Sequence, residues 1–405
     1  MSKILEIALG MVTGIGGFLE AGSIATAAQA GADFGYQLIW AIGVGTLALI
    51  ILLEMSGRLA LVSHRTLADA IRERFGVGYF IVPLVVGLVL SLLVLSAEIG
   101  GVAFALQMAT GVSFQWWALP VALVGWLLLW KGTFGAIEKG TAFLGLVAVS
   151  IAVAALRLHP DWTRVGAGLL PTQPTHERAR YWFLAVSIVG ASISPYLYYF
   201  YSAGAIEDHW DLSYLGINRI VAALGNLFGG VLAAAVLVVA VLVFGPRGIH
   251  VERFEQLGLL LTPALGRWGF VFLVATLGIN CFSATVEIAL SAAYLLAQSF
   301  GWEWAEDARP SEHARFSLAY TVAIFLAAVP IALGVDALKL TNVSMALTAA
   351  SLPVTVLPLL VLMNDRYYLH KHRNGWAGNL ALGSVAVLSV VLLVVAIPLQ
   401  FLGGG

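Results

Sequence analysis

The chain is 405 residues long, 60% hydrophobic and 11% charged, with a formal net charge of −1 and a mean hydropathy of +0.94. Soluble domains carry roughly 25% charged residues, so this composition excludes a water-soluble globule and marks an integral membrane protein. The near-neutral balance provides no basic face for nucleic acid, and one cysteine, Cys281, excludes an intramolecular disulfide framework.

Crossing about 30 Å of hydrocarbon takes about 20 apolar residues in a helix. Eleven stretches meet that requirement: 4–30, 36–62, 79–109, 115–131, 139–157, 181–206, 219–245, 268–299, 315–334, 341–363 and 377–402. Glycine and proline, scattered through them, are tolerated in membrane helices because neighbouring helices re-satisfy the freed backbone groups. The first stretch is too long for a signal h-region and lacks a small-residue cleavage context, so it is expected to persist as a working helix. The expectation is one all-α transmembrane domain over 1–405. Thirteen of the 21 Lys and Arg fall on one side of this arrangement, including Arg58, Arg65, Arg72, Arg74, Arg366 and Arg373. Basic loops stay in the cytoplasm. A multi-pass protein of the cell (inner or plasma) membrane follows, with a cytoplasmic N-terminus, an extracytoplasmic C-terminus and a long outer loop at 158–180.

The first span reads "GIGGFLEAGSIAT" over 14–26, with Glu20 amid glycines. An ionisable side chain in hydrocarbon costs several kcal/mol unless it faces a cavity or partner, so each intramembrane acid is a candidate site. Glu20 stands beside an expected helix break at Gly22. Free carbonyls and a carboxylate then converge at midplane depth, which is how discontinuous helices build cation sites. Glu54 has a plain structural reading, an i,i+4 ion pair with Arg58. Glu98, in "SAEIGG", and Glu287, in "ATVEIA", are either carboxyls tying helices together or members of a pathway.

Span six aligns with span one without a gap, "GFLEAGSIATAAQAG" (17–31) against "GASISPYLYYFYSAG" (190–204), with Pro195 as its breaker. Spans three and eight each carry one acid, Glu98 and Glu287. The pattern suggests a first repeat over 4–157, a second over 181–363 and an extra helix at 377–402. The aromatic run "PYLYYFY" reads as packing, as a gate, or as the wall of an organic-solute site in which Glu20 would receive an amine and Ser23, Ser192 and Ser194 would add hydroxyls. No HExxH, paired membrane aspartates or serine with a membrane histidine is present, so an enzyme is not expected.

The runs "GSIATAAQAGADFGYQLIW" (22–40) and "LLEMSGRLALVSHRTLADAIRERFG" (52–76) resemble the Nramp family of divalent-metal transporters. The likeness continues through "GASISPYLYYFYSAG", "ATVEIALSAAYLLAQSFGW" (284–302) and "NVSMALTAASLPVTVLPLLVL" (342–362). The resemblance implies a LeuT-type fold, two inverted five-helix repeats plus an eleventh transmembrane helix, with a divalent cation as transported substrate and no cofactor. The family's Asp-Pro-Gly-Asn motif falls on Glu20, Ala21, Gly22 and Ser23, and its Met-Pro-His motif on Ser194, Pro195 and Tyr196. Carried over residue by residue, the implied metal ligands are Glu20, Ser23, Ser194 and the carbonyls of Gly17 and Ala191. Glu98, Glu287, Tyr196, Tyr201, Asn342 and Met345 form the surrounding shell or pathway.

The departures bear on chemistry. Loss of the thioether at Ser194 favours a harder ion such as Mg²⁺ or Mn²⁺, as in an Nramp-related branch that includes magnesium transporters. Met345 stands where the family commonly has a glutamine, either as core filler or as a relocated sulfur. Leu95 replaces a family aspartate, and Tyr196 and Tyr201 replace its histidines, so weak or absent proton coupling is expected. Partners are the divalent ion and the lipid bilayer; oligomeric state is not readable from the residues.

Overall fold

The computed structural model describes residues 18–131, 140, 143–174, 176–305 and 309–403, all helix, turn or loop. Residues 4–17 of the first expected span, Gly17 among them, lie outside the described residues, as do 139, 141 and 142 of the fifth. The main helices are α1 (Ala21–Phe34), α2 (Ile39–Ser63), α3 (Leu67–Thr110), α4 (Phe114–Trp130), α5 (Val149–Arg157), α6 (Arg178–Ser192) and α7 (Pro195–Glu207). They continue as α8 (Leu215–Val243), α9 (Arg267–Phe300), α10 (Ala314–Ala332), α11 (Ala337–Ser351), α12 (Pro353–Leu362) and α13 (Trp376–Gly403). Among the described residues eight stretches, against the eleven expected, are long and apolar enough to cross a membrane; Phe114–Trp130 and Phe143–Arg157 are shorter apolar helices, and the first two expected spans form one stretch. One of the eight, Ala21–Ser63, holds α1 and α2, separated by a single 3-10 turn at Gly35–Leu38.

Two boundaries, in spans three and ten, differ from expectation for a local reason, and the break expected at Pro195 in span six is present. Helix α3 starts at Leu67 rather than 79, because Thr66 caps it by accepting the Asp69 N–H at 3.2 Å. Its polar first turns then bend away at Gly76, whose φ of 75° and ψ of 168° interrupt the helix. Span six is two helices. Ile193 and Ser194 leave helical geometry, and Pro195 opens α7 at a position where its missing N–H is no loss. Span ten likewise divides at Leu352, where Pro353 begins α12.

Packing places the broken helices at the centre. Helix α1 lies against α8 and α6, α2 against α8, α6 and α7, α3 along α9, and α11 between α6, α3 and α13. Backbones approach closely through glycine: a Cβ at Gly31 would sit 2.4 Å from the Leu237 carbonyl, and one at Gly190 would sit 2.1 Å from the Met345 carbonyl. Helix α13 is peripheral. Its Leu380, Val387, Val394 and Phe401, seven residues apart and therefore on one stripe, all face outward.

Candidate functional site

The break in the first span falls at Leu19–Glu20, two residues before the expected breaker Gly22. Glu20 is the N-cap of α1, with extended backbone (φ −93°, ψ 178°) and a fully buried side chain. Its carbonyl accepts the Ile24 N–H at 3.1 Å, so the helix begins on the acid itself. Gly22 sits inside the first turn. Its function is space: a Cβ there would meet the Met345 thioether, 2.6 Å from Cε and 2.7 Å from Sδ.

Tyr196, at the start of α7, donates its hydroxyl to Glu20 Oε2 at 2.8 Å. Among the described residues, Glu20 Oε1 is buried with no hydrogen-bond partner. Ser194 stands beside the same carboxylate, yet its Oγ makes no hydrogen bond of normal geometry. Ala191, one residue before the end of α6, contributes a carbonyl whose i+4 partner would be Pro195, which has no N–H. The two breaks thus meet face to face. One presents a carboxylate with a spare oxygen; the other presents a hydroxyl and a carbonyl released from helix bonding.

The remaining expected residues divide. Ser23 is buried, but its hydroxyl donates to the Phe18 carbonyl, stitching across the break instead of pointing into it. Glu98 is fully buried on α3, and its Oε2 accepts the Ala21 N–H at 3.1 Å. A carboxylate at a helix N-terminus satisfies an orphan donor and the helix dipole together, so Glu98 ties α3 to the start of α1. Cys281 lies against it, and a Cβ at Gly101 would be 2.7 Å from its Sγ. Glu287, on α9, accepts from Ser283 at 3.0 Å and lies within electrostatic reach of Glu20. Met345 is fully buried, and Asn342, one turn earlier on α11, has a buried Oδ1 without a partner among the described residues.

Tyr201 is elsewhere. Its hydroxyl donates to Asn218 Oδ1 at 3.0 Å, and Asn218 in turn holds the Glu54 carbonyl. That end carries the expected Glu54–Arg58 pair at 3.2 Å, with Arg219 at 3.6 Å from Glu54 and Asn374 accepting from Arg58. All eight histidines lie outside the apolar spans.

Two residues were not singled out from the sequence. Ser291 donates to the Tyr196 carbonyl at 3.2 Å, and Thr348 Oγ1 is buried without a partner among the described residues. Both line a cavity of about 10 Å³ with Ser194, Tyr196 and Tyr199, room for one water-sized body. The signal was present in the spacing: Ser291 is four residues after Glu287 and Thr348 three after Met345, so each shares a helix face with a candidate.

Among the described residues no three His, Cys, Asp or Glu side chains converge as a ligand set. The arrangement suits one cation held by a single carboxylate and neutral oxygens, with water completing the shell.

The Nramp model, described as natural resistance-associated macrophage protein-like, matches residues 10–398. The divalent metal cation transporter MntH of Deinococcus radiodurans is 28% identical over 362 residues, covering 85% of this chain and 78% of that protein. Its counterpart from Aeromonas hydrophila is 25% identical, covering 94% and 93%. A variant of the Eremococcus coleocola manganese transporter superposes with a TM-score of 0.80 at 20% identity, over 98% of this chain and 87% of that one. Mhp1, a nucleobase-cation-symport-1 family transporter with bromovinylhydantoin bound, superposes with a TM-score of 0.63 at 17% identity, over 98% and 91%. The fold shared with these structures is LeuT-like.

Proposed function

We propose, from the premise that this chain belongs to the Nramp family, that it moves a divalent cation across the cell membrane by alternating access. The site is the meeting of its two helix breaks, and the carrying observation is the buried Glu20 carboxylate, one oxygen held by Tyr196 and the other unpartnered among the described residues. Relatives named as divalent metal cation transporters support the substrate class. Glu20, Ser194 and the Ala191 carbonyl are assigned to the ion. Gly17, by the same resemblance, supplies a further carbonyl. Ser23 is assigned to shaping the break, given its bond to Phe18. A single carboxylate with hydroxyl, carbonyl and water suits a partly hydrated Mg²⁺ or Mn²⁺. In this reading the two breaks belong to the first helices of two inverted repeats, 4–157 and 181–363, with the N-terminus cytoplasmic.

Proton coupling is weak or absent in this reading, because no histidine lies in a span to titrate near neutral pH. In proteoliposomes, metal flux is expected to change little when an inward proton gradient is imposed; strong acceleration contradicts the reading. Site assignment is tested by Mn²⁺ titration calorimetry and uptake. Glu20→Ala is expected to abolish both, and Ser194→Ala to weaken both. If the two variants bind and transport as the parent does, the site is misassigned. If no divalent ion binds at millimolar concentration, a small organic solute takes its place; the cavity of about 10 Å³ beside the site argues against that occupant.

One observation favours a second reading of ion choice. The Met345 thioether packs on Gly22, two residues from Glu20. A sulfur there admits softer ions. Selective loss of Cd²⁺ uptake in Met345→Leu, with Mn²⁺ and Mg²⁺ uptake unchanged, supports it; equal uptake of all three leaves Met345 as packing.

A further inference from the structure

At the bundle end opposite Asp33 lies a recess of about 690 Å³, far from Glu20 in the fold and unrelated to the transport reading. It is lined by His64 and Arg65, in the turn between α2 and α3, and by Arg366, Tyr367, Tyr368 and His370, which follow α12. Two carboxylates stand near it, and both are already engaged: Glu73 with Arg65 at 3.2 Å and Asp365 with Arg74 at 2.8 Å. The side chains of Arg366, His64 and His370 make no ion pair or hydrogen bond among the described residues. The recess is therefore a cationic basin with uncommitted donors.

Backbone conformation adds a second mark. His64 (φ 54°) and His370 (φ 46°) both occupy the left-handed half of φ space, where glycine is the easy choice. Two non-glycine residues held there on facing turns present their rings to one hollow. Depth in the membrane is set by neighbours. The apolar α2 ends at Ser63, directly beneath the recess, and Tyr367 is 75% exposed at its rim, as aromatic side chains are at headgroup level.

We propose that this recess binds the phosphate of an anionic phospholipid headgroup. Arg366 supplies the uncompensated charge, the two histidines supply ring N–H donors, Arg65 stands beside them in its pair with Glu73, and Tyr367 and Tyr368 flank the glycerol region. The volume exceeds what a free phosphate fills, and the site opens at the level where headgroups lie; both favour lipid over a soluble anion. A bound headgroup would bridge the α2–α3 turn to the segment that follows α12.

The test uses the full chain in nanodiscs, with lipid retention read by native mass spectrometry and melting read by fluorescence. Phosphatidylglycerol is expected to be retained over phosphatidylcholine and to raise the melting temperature. One basic group near an anionic surface is worth about fivefold in affinity, so Arg366→Gln is expected to weaken retention by about that factor. The double variant Arg366→Gln/His370→Gln weakens it further. Arg164→Gln, which removes an exposed cation far from the recess, leaves retention unchanged. Unaltered melting of the recess variants in pure phosphatidylcholine establishes that they fold. The proposal is overturned if both recess variants keep the parent's preference, or if inorganic phosphate alone binds as tightly and displaces the lipid.

Discussion

Tyr196 donates to Glu20 directly across the two helix breaks, and the strength of that bond sets the position of the carboxylate. A hydrogen bond to a charged group contributes about 1.5–3 kcal/mol, so Tyr196→Phe is expected to raise the half-saturating metal concentration about tenfold or more, with folding intact. Uptake kinetics check this; an unchanged half-saturation point removes Tyr196 from the site. Gly22 makes a sharper case. Its identity reads as a helix breaker in the sequence, but the structure uses it to admit Met345. Gly22→Ala overpacks that contact and is expected to cost about 1–3 kcal/mol of stability, with the loss relieved in Gly22→Ala/Met345→Ala. Additive melting shifts in the double variant refute the contact. Ser23 shows the limit of residue-level reading: spacing puts it at the break, but the rotamer, turned to Phe18, is set by the break around it.

At the scale of elements, Pro195 does two jobs. It starts α7, and it denies the Ala191 carbonyl its helical partner. Pro195→Ala restores that N–H and lets α6 run toward α7, so transport is expected to fall while the protein stays folded; uptake and circular dichroism measure the two separately. Undiminished uptake shows that the carbonyl is not needed. Helices α6 and α11 cross where Gly190 meets the Met345 backbone, a contact that no side-chain adjustment relieves. Gly190→Ala is therefore expected to lower stability more than Gly22→Ala, whose clash is with the flexible end of Met345. Reversal of that order in thermal melts contradicts the packing described. Hydropathy located the long apolar helices, whereas the early start of α3 was not readable, because its amphipathic first turns resemble a loop to any apolar window.

Across the whole molecule, the end of α1 is fastened. Asp33, with a side chain 2% exposed, holds Arg180 of α6 at 2.7 Å and His250 at 2.8 Å, while its carbonyl meets the His176 ring. Phe34 stacks on His176 at 4.9 Å. These bonds clamp α1, α6 and the segment after α8 at one end of the bundle, above the site. The chain carries its own reporter of that closure in Cys281, fully buried against Glu98 and Gly101. Asp33→Asn weakens the clamp and is expected to speed Cys281 modification by a small thiol reagent severalfold. Labelling as slow as in the parent shows that the clamp does not control access.

By itself the sequence determined the membrane class, the acids worth examining and the family likeness, because hydropathy and buried charge are local properties that any bilayer must answer. Glu20 and the Glu54–Arg58 pair were legible for that reason. Tertiary structure decided which of the acids shares a space with which oxygen. It made Glu98 the cap of α1, sent Tyr201 to the far end with Asn218, and brought Ser291 and Thr348 to the cavity. Those outcomes depend on how four helices meet around two breaks, and a contact between residues 77 or 176 positions apart leaves no trace in local spacing.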